Sequence, residues 1–375
     1  MKEIKMADLN GQYEKIKIEV NEAIQGVLDS TAFIKGPEVK SFEKSLASYL
    51  GCNHLISCAN GTDALQIAMM ALELKPGDEV ITTPFTFIAT VEVVKLLGLK
   101  PVFADIEEGS FNIDVSKLEK LITSKTKAIV PVHLFGQCAD MESLNVLAKK
   151  YGLYIIEDAA QSLGGTYFLS DGSVKKSGTL GDIGCTSFFP SKNLGAYGDG
   201  GALFTGNTEL AAKIQAISNH GMIERYHYDY IGINSRLDTI QAAILSVKLK
   251  HLDEYNHARQ LAADFYDTAL GELNGISIPA RVKYSNHIFH QYTIRVAGGK
   301  RDELKSHLEK ASVPAMIYYP LPLHIQRAYS DLGYKKGDFP VTEKACTEVL
   351  SLPMHTELNQ DQLHFITERI IEFVN

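Results

Sequence analysis

The chain has 375 residues, 45% hydrophobic and 22% charged, which excludes a disordered or fibrous protein and suits one large domain with a smaller one attached. A formal charge of −8 argues against a nucleic-acid-binding surface, although backbone donors can hold a phosphate even on an acidic protein. Cys52, Cys58, Cys138, Cys185 and Cys346 form no CxxC or Cys/His cluster, so no metal site and no disulfide framework is expected.

Met1 to Lys5 carry no apolar leader and no stretch reaches transmembrane length, so the expectation is a cytoplasmic protein without a membrane partner. Apolar spacing (Ile16, Val20, Ile24, Val27) predicts a helix over 10–29, and a second follows the Gly36-Pro37 turn over 39–50. Strand-like runs over 54–58, 79–83, 101–105, 128–134 and 153–158 then alternate with helical runs over 63–74, 88–97, 115–122 and 141–151. Such alternation predicts an α/β fold with a doubly wound, mostly parallel sheet, whose ligands bind at the carboxyl ends of the strands. Residues 185–189 and 201–205 read as further strands, and the turn at 232–238 leads into a long helix continuing to about residue 266. Past about residue 250 the character changes. Helical runs over 255–270, 302–311 and 361–374, a strand over 290–296 and a turn-rich loop over 318–324 predict a small α+β domain. The expected division is 1–250 and 251–375.

Four motifs fall where such a sheet would present them. Asn60-Gly61-Thr62-Asp63 follows the first strand and opens a helix, where unpaired N–H groups and the helix dipole would suit a phosphate. A plain cap by Thr62 is the competing reading. Tyr154-Ile155-Ile156-Glu157-Asp158 ends an apolar strand in two carboxylates. Asp158, at its mouth, suits either a pyridinium partner or a helix cap. Ser187-Phe188-Phe189-Pro190-Ser191-Lys192-Asn193-Leu194-Gly195 sets a lysine in a glycine-rich loop between strands. An amine held there can form a Schiff base with an aldehyde, though most lysines are surface charges. Gly232-Ile233-Asn234-Ser235-Arg236-Leu237-Asp238 leads into a helix, with Asn234 a possible cap and Arg236 a possible surface residue.

In this order (phosphate seat, acid, then lysine with a hydroxyl five residues before it) the motifs follow the plan of a pyridoxal phosphate enzyme. They make the chain resemble the DegT/DnrJ/EryC1/StrS sugar aminotransferases, within fold type I of the pyridoxal phosphate (PLP) enzymes, over nearly its whole length. The resemblance implies that Lys192 carries the cofactor, Asp158 pairs with its ring nitrogen and Gln161 lies near the ring. It implies Gly61, Thr62 and Ser187 at the phosphate, with Asn234 reaching the phosphate of a neighbouring subunit in a homodimer. Phe87 matches a ring-stacking aromatic, with core packing as its alternative. Arg236, Tyr318, Tyr319 and His324 fall on the substrate side, and Tyr318 stands where some relatives have His.

The implied reaction moves an amino group from L-glutamate to a nucleotide-linked keto sugar, through the pyridoxamine (PMP) form, for surface polysaccharide or glycan synthesis. Asp199 in Gly198-Asp199-Gly200-Gly201 resembles the branch that aminates C3, most similar to enzymes of UDP-linked 2-acetamido sugars. C4 amination, dTDP-linked sugars and a non-enzymatic sensing module are the alternatives. Related dehydratases replace the lysine with His. A Rossmann-type nicotinamide enzyme would need GxGxxG after the first strand, where Ala59-Asn60-Gly61-Thr62 stands.

Overall fold

The computed structural model describes residues 3–375. Two helices lead the chain, α1 (Leu9–Ser30) and α2 (Pro37–Leu50). The Asp8 side chain accepts the Gly11 N–H to cap α1, and Gly51 closes α2 at φ 68°, where a glycine is at ease. There follow β1 (His54–Cys58), α3 (Gly61–Ala71), β2 (Glu79–Thr82), α4 (Ala89–Leu96), β3 (Lys100–Phe103), β4 (Thr126–Ile129), α5 (Met141–Tyr151) and β5 (Tyr154–Asp158). A hairpin of β6 (Thr166–Phe168) and β7 (Val174–Lys176) precedes β8 (Ile183–Ser187), β9 (Gly201–Thr205) and α6 (Thr208–Ile217). A second hairpin, β10 (Met222–Glu224) and β11 (His227–Tyr228), leads to α7 (Thr239–Leu249) and α8 (Leu252–Leu270). The chain ends with β12 (Ile276–Ser277), β13 (Tyr292–Val296), α9 (Arg301–Lys310), α10 (Pro340–Glu348), β14 (Val349–Leu352) and α11 (Gln360–Val374).

The main sheet has the order β1-β9-β8-β5-β4-β2-β3. Its strands from β8 to β3 pair in parallel, and β9 runs against both of its neighbours. Helix α3 is buried at Ala64, Leu65, Ile67, Ala68 and Met69, and these side chains pack over β1, β5, β8 and β9. On the other face α2 and α7 meet Phe188, Ala202 and Phe204, while α5 covers β4 and β5. With both faces covered, the strands read as nearly continuous apolar runs. A three-stranded antiparallel sheet, β12-β13-β14, lies between α8, α9 and α11 in a separate core that also takes in Ile4.

Several elements differ from the sequence expectation. The helix expected over 115–122 is two short 3-10 turns, Val115–Lys117 and Glu119–Leu121. The single long helix expected after the 232–238 turn is broken at Lys250 and His251. Its two halves serve different cores: α7 packs on the main sheet, and α8 turns Ala262, Ala263 and Tyr266 toward the C-terminal one. The strand expected over 185–189 begins at Ile183 and stops at Ser187, because Phe188 already turns into the core beside Phe42. Helices α6 and α10 and strand β14 are not among the elements expected from the sequence. Val349-Leu350-Ser351-Leu352 is too short a run to be separated by pattern from the helix before it.

One buried polar knot fixes the end of β5. Glu157, fully buried, accepts the N–H groups of Gly178 (3.0 Å), Leu180 (2.6 Å) and Gly181 (2.5 Å). His133 Nε2 lies 2.8 Å from the same carboxylate, and His133 Nδ1 accepts the Ala139 N–H, so the Nε2–H is the donor to Glu157. Removing the carboxylate leaves these donors buried and unpaired. Glu157→Ala is therefore expected to cost about 3–5 kcal/mol, seen as a lowered thermal unfolding midpoint.

Candidate active site

At the carboxyl ends of β1, β5 and β8 the chain makes three turns that share one cleft, joined by the loop after β2. Asn60 rather than Thr62 caps α3, its Oδ1 accepting the Asp63 N–H at 2.8 Å. The N–H groups of Gly61 and Thr62 then stand in the first turn with no carbonyl of the helix to meet them. A Cβ on Gly61 would lie 2.7 Å from Ser187 Cβ, so only glycine lets the helix start reach the end of β8. Ser187 Oγ accepts the Phe189 N–H at 3.2 Å, which leaves its hydroxyl hydrogen free to donate. Two amides, a helix dipole and a hydroxyl converge here into an anion seat.

Asp158 ends β5, 6% exposed. Thr90 Oγ1 donates to its Oδ2 at 2.8 Å and the Ala160 N–H to its Oδ1 at 3.2 Å. No helix follows Asp158, only a turn, so it caps none. Thr86 lies 3.2 Å from the Thr90 hydroxyl and extends this chain of oxygens. Gln161 spans the cleft wall, its Oε1 accepting the Phe135 N–H at 2.7 Å and its Nε2 reaching the Tyr319 hydroxyl at 3.3 Å.

Lys192 lies in the loop between β8 and β9. Its N–H bonds to Phe189 O at 2.8 Å, which curls the backbone and turns the side chain into the cleft. The amine has no hydrogen-bond or ion-pair partner among the described residues. Burial pulls it down to about 8, against the opposing attraction of Asp158.

Phe87 lines the cleft at 56% exposure and is thus not a core residue, whereas Phe85, fully buried among Phe111, Phe135 and Tyr319, is. Tyr318 and Tyr319 form the far wall. The cleft therefore brings together Gly61, Thr62, Phe87, Asp158, Gln161, Ser187, Lys192, Tyr318 and Tyr319. Three other residues lie elsewhere. Asn234 is exposed and bridged to Asn219. Arg236 borders a separate depression with Lys35, Glu43 and Ser57. His324 is buried, with Nε2 3.1 Å from Glu343 and its ring against Phe339.

No local pattern points to Thr90, whose bond to Asp158 spans 68 residues, or to His290, which lines the cleft. Burial, with Lys192 and Arg259 nearby, keeps His290 neutral by moving it well below the ordinary histidine value. Asn60 was the one legible cue: a cap residue with its partner three positions on.

A family model for the DegT/DnrJ/EryC1/StrS aminotransferases matches residues 14–371, and the chain belongs to that family. It is 48% identical, over 99% of its length and 98% of the relative, to the "pleiotropic regulatory protein" of Geobacillus stearothermophilus. It is 47% identical to the UDP-2-acetamido-2-deoxy-3-oxo-D-glucuronate aminotransferase of Pseudomonas aeruginosa, over 97% and 98% of the two chains. The dTDP-3-amino-3,4,6-trideoxy-alpha-D-glucose transaminase of Streptomyces venezuelae follows at 38%, over 98% and 95%. Among solved structures, S. venezuelae DesV superposes with a TM-score of 0.96 at 38% identity, covering 100% and 99% of the chains. Bacillus subtilis ntda, solved with bound cofactor PMP, superposes at 0.88 with 34% identity, covering 96% and 82%.

The chain is thus a fold type I aminotransferase of the sugar-nucleotide class, and its cofactor is pyridoxal phosphate, cycling with the pyridoxamine form. The cleft fits that group: an anion seat where no side chain has room, a carboxylate with free lone pairs and an amine without a partner. No described helix is long and apolar enough to cross a membrane.

In the cofactor-free protein, reductive labelling of Lys192 by a small aldehyde should rise with a midpoint near pH 8, because only the unprotonated amine attacks. Surface lysines should follow a midpoint near about 10.4. A Lys192 midpoint at the surface value would contradict the half-buried, unpaired amine.

Proposed function

We propose that the protein moves the amino group of L-glutamate to C3 of a UDP-linked 2-acetamido-3-keto sugar. The observation that carries the reading is the meeting of Lys192, Asp158 and the α3 amides in one cleft. When bound, pyridoxal phosphate supplies an electron-poor ring that takes up the electron pair left when a proton departs from the donor's α-carbon. The residues divide the remaining work. Gly61, Thr62 and Ser187 would hold the phosphate. Asp158 would keep a proton on the ring nitrogen by ion pairing, and Thr90 and Ala160 hold the carboxylate in place. Phe87 would help hold the ring from the cleft wall, as would Gln161, which is tied to Phe135 and Tyr319.

Lys192 would hold the cofactor through its aldehyde until the donor arrives. Once free, the Lys192 amine would take the proton from the donor's α-carbon as a base and give it back as an acid. Its lowered proton affinity suits both halves of that transfer near neutral pH. With the keto sugar as the second substrate, the same amine runs the steps in reverse.

The choice of C3 and UDP rests on the resemblance at Gly198-Asp199-Gly200-Gly201, on Asp199 lining the cleft, and on the 47% identity to the glucuronate-type relative. Tyr318 in place of a His favours a sugar without the carboxylate. A dTDP-linked sugar is the second reading, favoured by the 38% identity to the Streptomyces transaminase. The shared-site homodimer is supported by the exposure of Asn234 and by Ile223, Tyr226, Tyr228 and Ile231, exposed on the segment before it. A boundary between the two domains near residue 250 is supported by the break between α7 and α8 and by the separate cores on either side.

The purified protein should show a visible absorption band that L-glutamate bleaches with release of 2-oxoglutarate. Lys192→Ala should stay folded and lose this half-reaction by at least about 1,000-fold. Supplied with UDP- and dTDP-linked 3-keto and 4-keto sugars, the PMP form should aminate the UDP-linked 3-keto sugar most efficiently. A preference for a dTDP-linked or 4-keto acceptor, read by product mass, would reverse the substrate assignment.

A further inference from the structure

Behind the cleft, α7 carries a second lysine that the reaction does not use. Lys248 is 1% exposed, and among the described residues no carboxylate lies within ion-pair distance of it. Its ammonium donates to the Gly195 carbonyl at 2.5 Å and lies 5.2 Å from the centre of the Tyr197 ring. Both partners belong to the loop that presents Lys192.

An ammonium inside a protein costs several kcal/mol unless it is well bonded, and a methionine would fill similar space without that cost. Packing alone therefore gives no reason for lysine here. What the ammonium holds does. Gly195 is pressed so closely on the preceding turn that a Cβ would lie 2.2 Å from Pro190 O. Holding the Gly195 carbonyl thus holds the turn from Pro190 to Lys192. Neighbouring side chains bind the same loop: Gln241 Oε1 accepts the Tyr197 N–H at 2.8 Å, and Asn193 Nδ2 donates to Asn256 Oδ1 at 2.6 Å. Gln241 and Lys248 lie on α7 and Asn256 on α8, so the two helices grip the loop at residues 193, 195 and 197.

We infer that Lys248 is a positioning residue for Lys192: its buried ammonium fixes the 190–195 turn against α7. The catalytic amine then stays aimed into the cleft once the donor has displaced it from the cofactor. The inference rests on the aminotransferase reading for its kinetic consequence, and on geometry alone for the clamp.

Lys248→Met tests it, with Lys248→Gln as a variant that keeps an uncharged donor. Deuterium uptake over residues 190–200 in the cofactor-free protein should speed up in Lys248→Met while protection elsewhere is kept, and Lys248→Gln should fall between it and the parent. The single-turnover rate with L-glutamate should drop by up to about 100-fold, the scale of a misplacement near 1 Å, with KM changed less than about twofold. Unchanged uptake and unchanged rate in both variants would overturn the inference. So would a rate loss that comes only with a chain-wide loss of protection, since that is the mark of a structural lysine. If the parent protein itself fails to react with glutamate, the functional reading falls, while the uptake measurement still decides on the clamp.

Discussion

The cleft depends on one amine left unbonded. Polar groups inside a protein are nearly always paired, and most of those around Lys192 obey the rule, His290 Nδ1 and Asn193 Oδ1 being exceptions. Asp158 is held by Thr90 and Ala160, Gln161 by Phe135 and Tyr319, and Ser187 accepts from Phe189. The amine has only the distant attraction of Asp158 to offset its lost hydration, and it loses its proton more readily for that reason. The surrounding groups are fixed before any ligand arrives. Such an arrangement spends little free energy on reorganisation when a charged transition state forms.

Keeping the amine free requires the backbone to come closer than side chains allow. The start of α3, the end of β8 and the start of β9 meet at one point, where Gly61 touches Ser187 and a Cβ on Gly201 would lie 2.4 Å from the Asn60 carbonyl. The reversed direction of β9 makes this possible. Its amino end comes to the same edge as the carboxyl ends of the parallel strands, so the loop from β8 returns directly into the cleft instead of crossing the sheet. A crossover helix at that place would have carried Lys192 away from Asp158.

Two adjacent carboxylates show how the sheet divides labour. Side chains alternate between the faces of a strand, so Glu157 and Asp158 point opposite ways at the end of β5. Glu157 is used up by three amides and His133, which anchors the 178–181 turn beside β8. Asp158 faces the cleft. The buried cations nearby follow a complementary pattern: Lys248 donates to Gly195 O, and Arg259 to the carbonyls of Phe289, His290 and Met354. Both cations thus turn to backbone carbonyls, while Arg259 Nε stays buried without a partner among the described residues.

The sequence by itself determined the alternation of strands and helices, the parallel sheet and the order of acid and lysine along the chain. These follow from local periodicity and from glycines whose neighbours are close in sequence. Its family resemblance carried the cofactor and the chemistry. Only the tertiary structure separated Phe85 from Phe87, gave the α3 cap to Asn60 and joined Thr90 to Asp158 across 68 residues. It also set His324 apart from the cleft, seated against Glu343, and placed Lys248 beneath the catalytic loop. Those outcomes turn on which side chains meet after the helices dock on the sheet, and a one-dimensional pattern of polar and apolar residues does not encode distances between segments far apart in the chain.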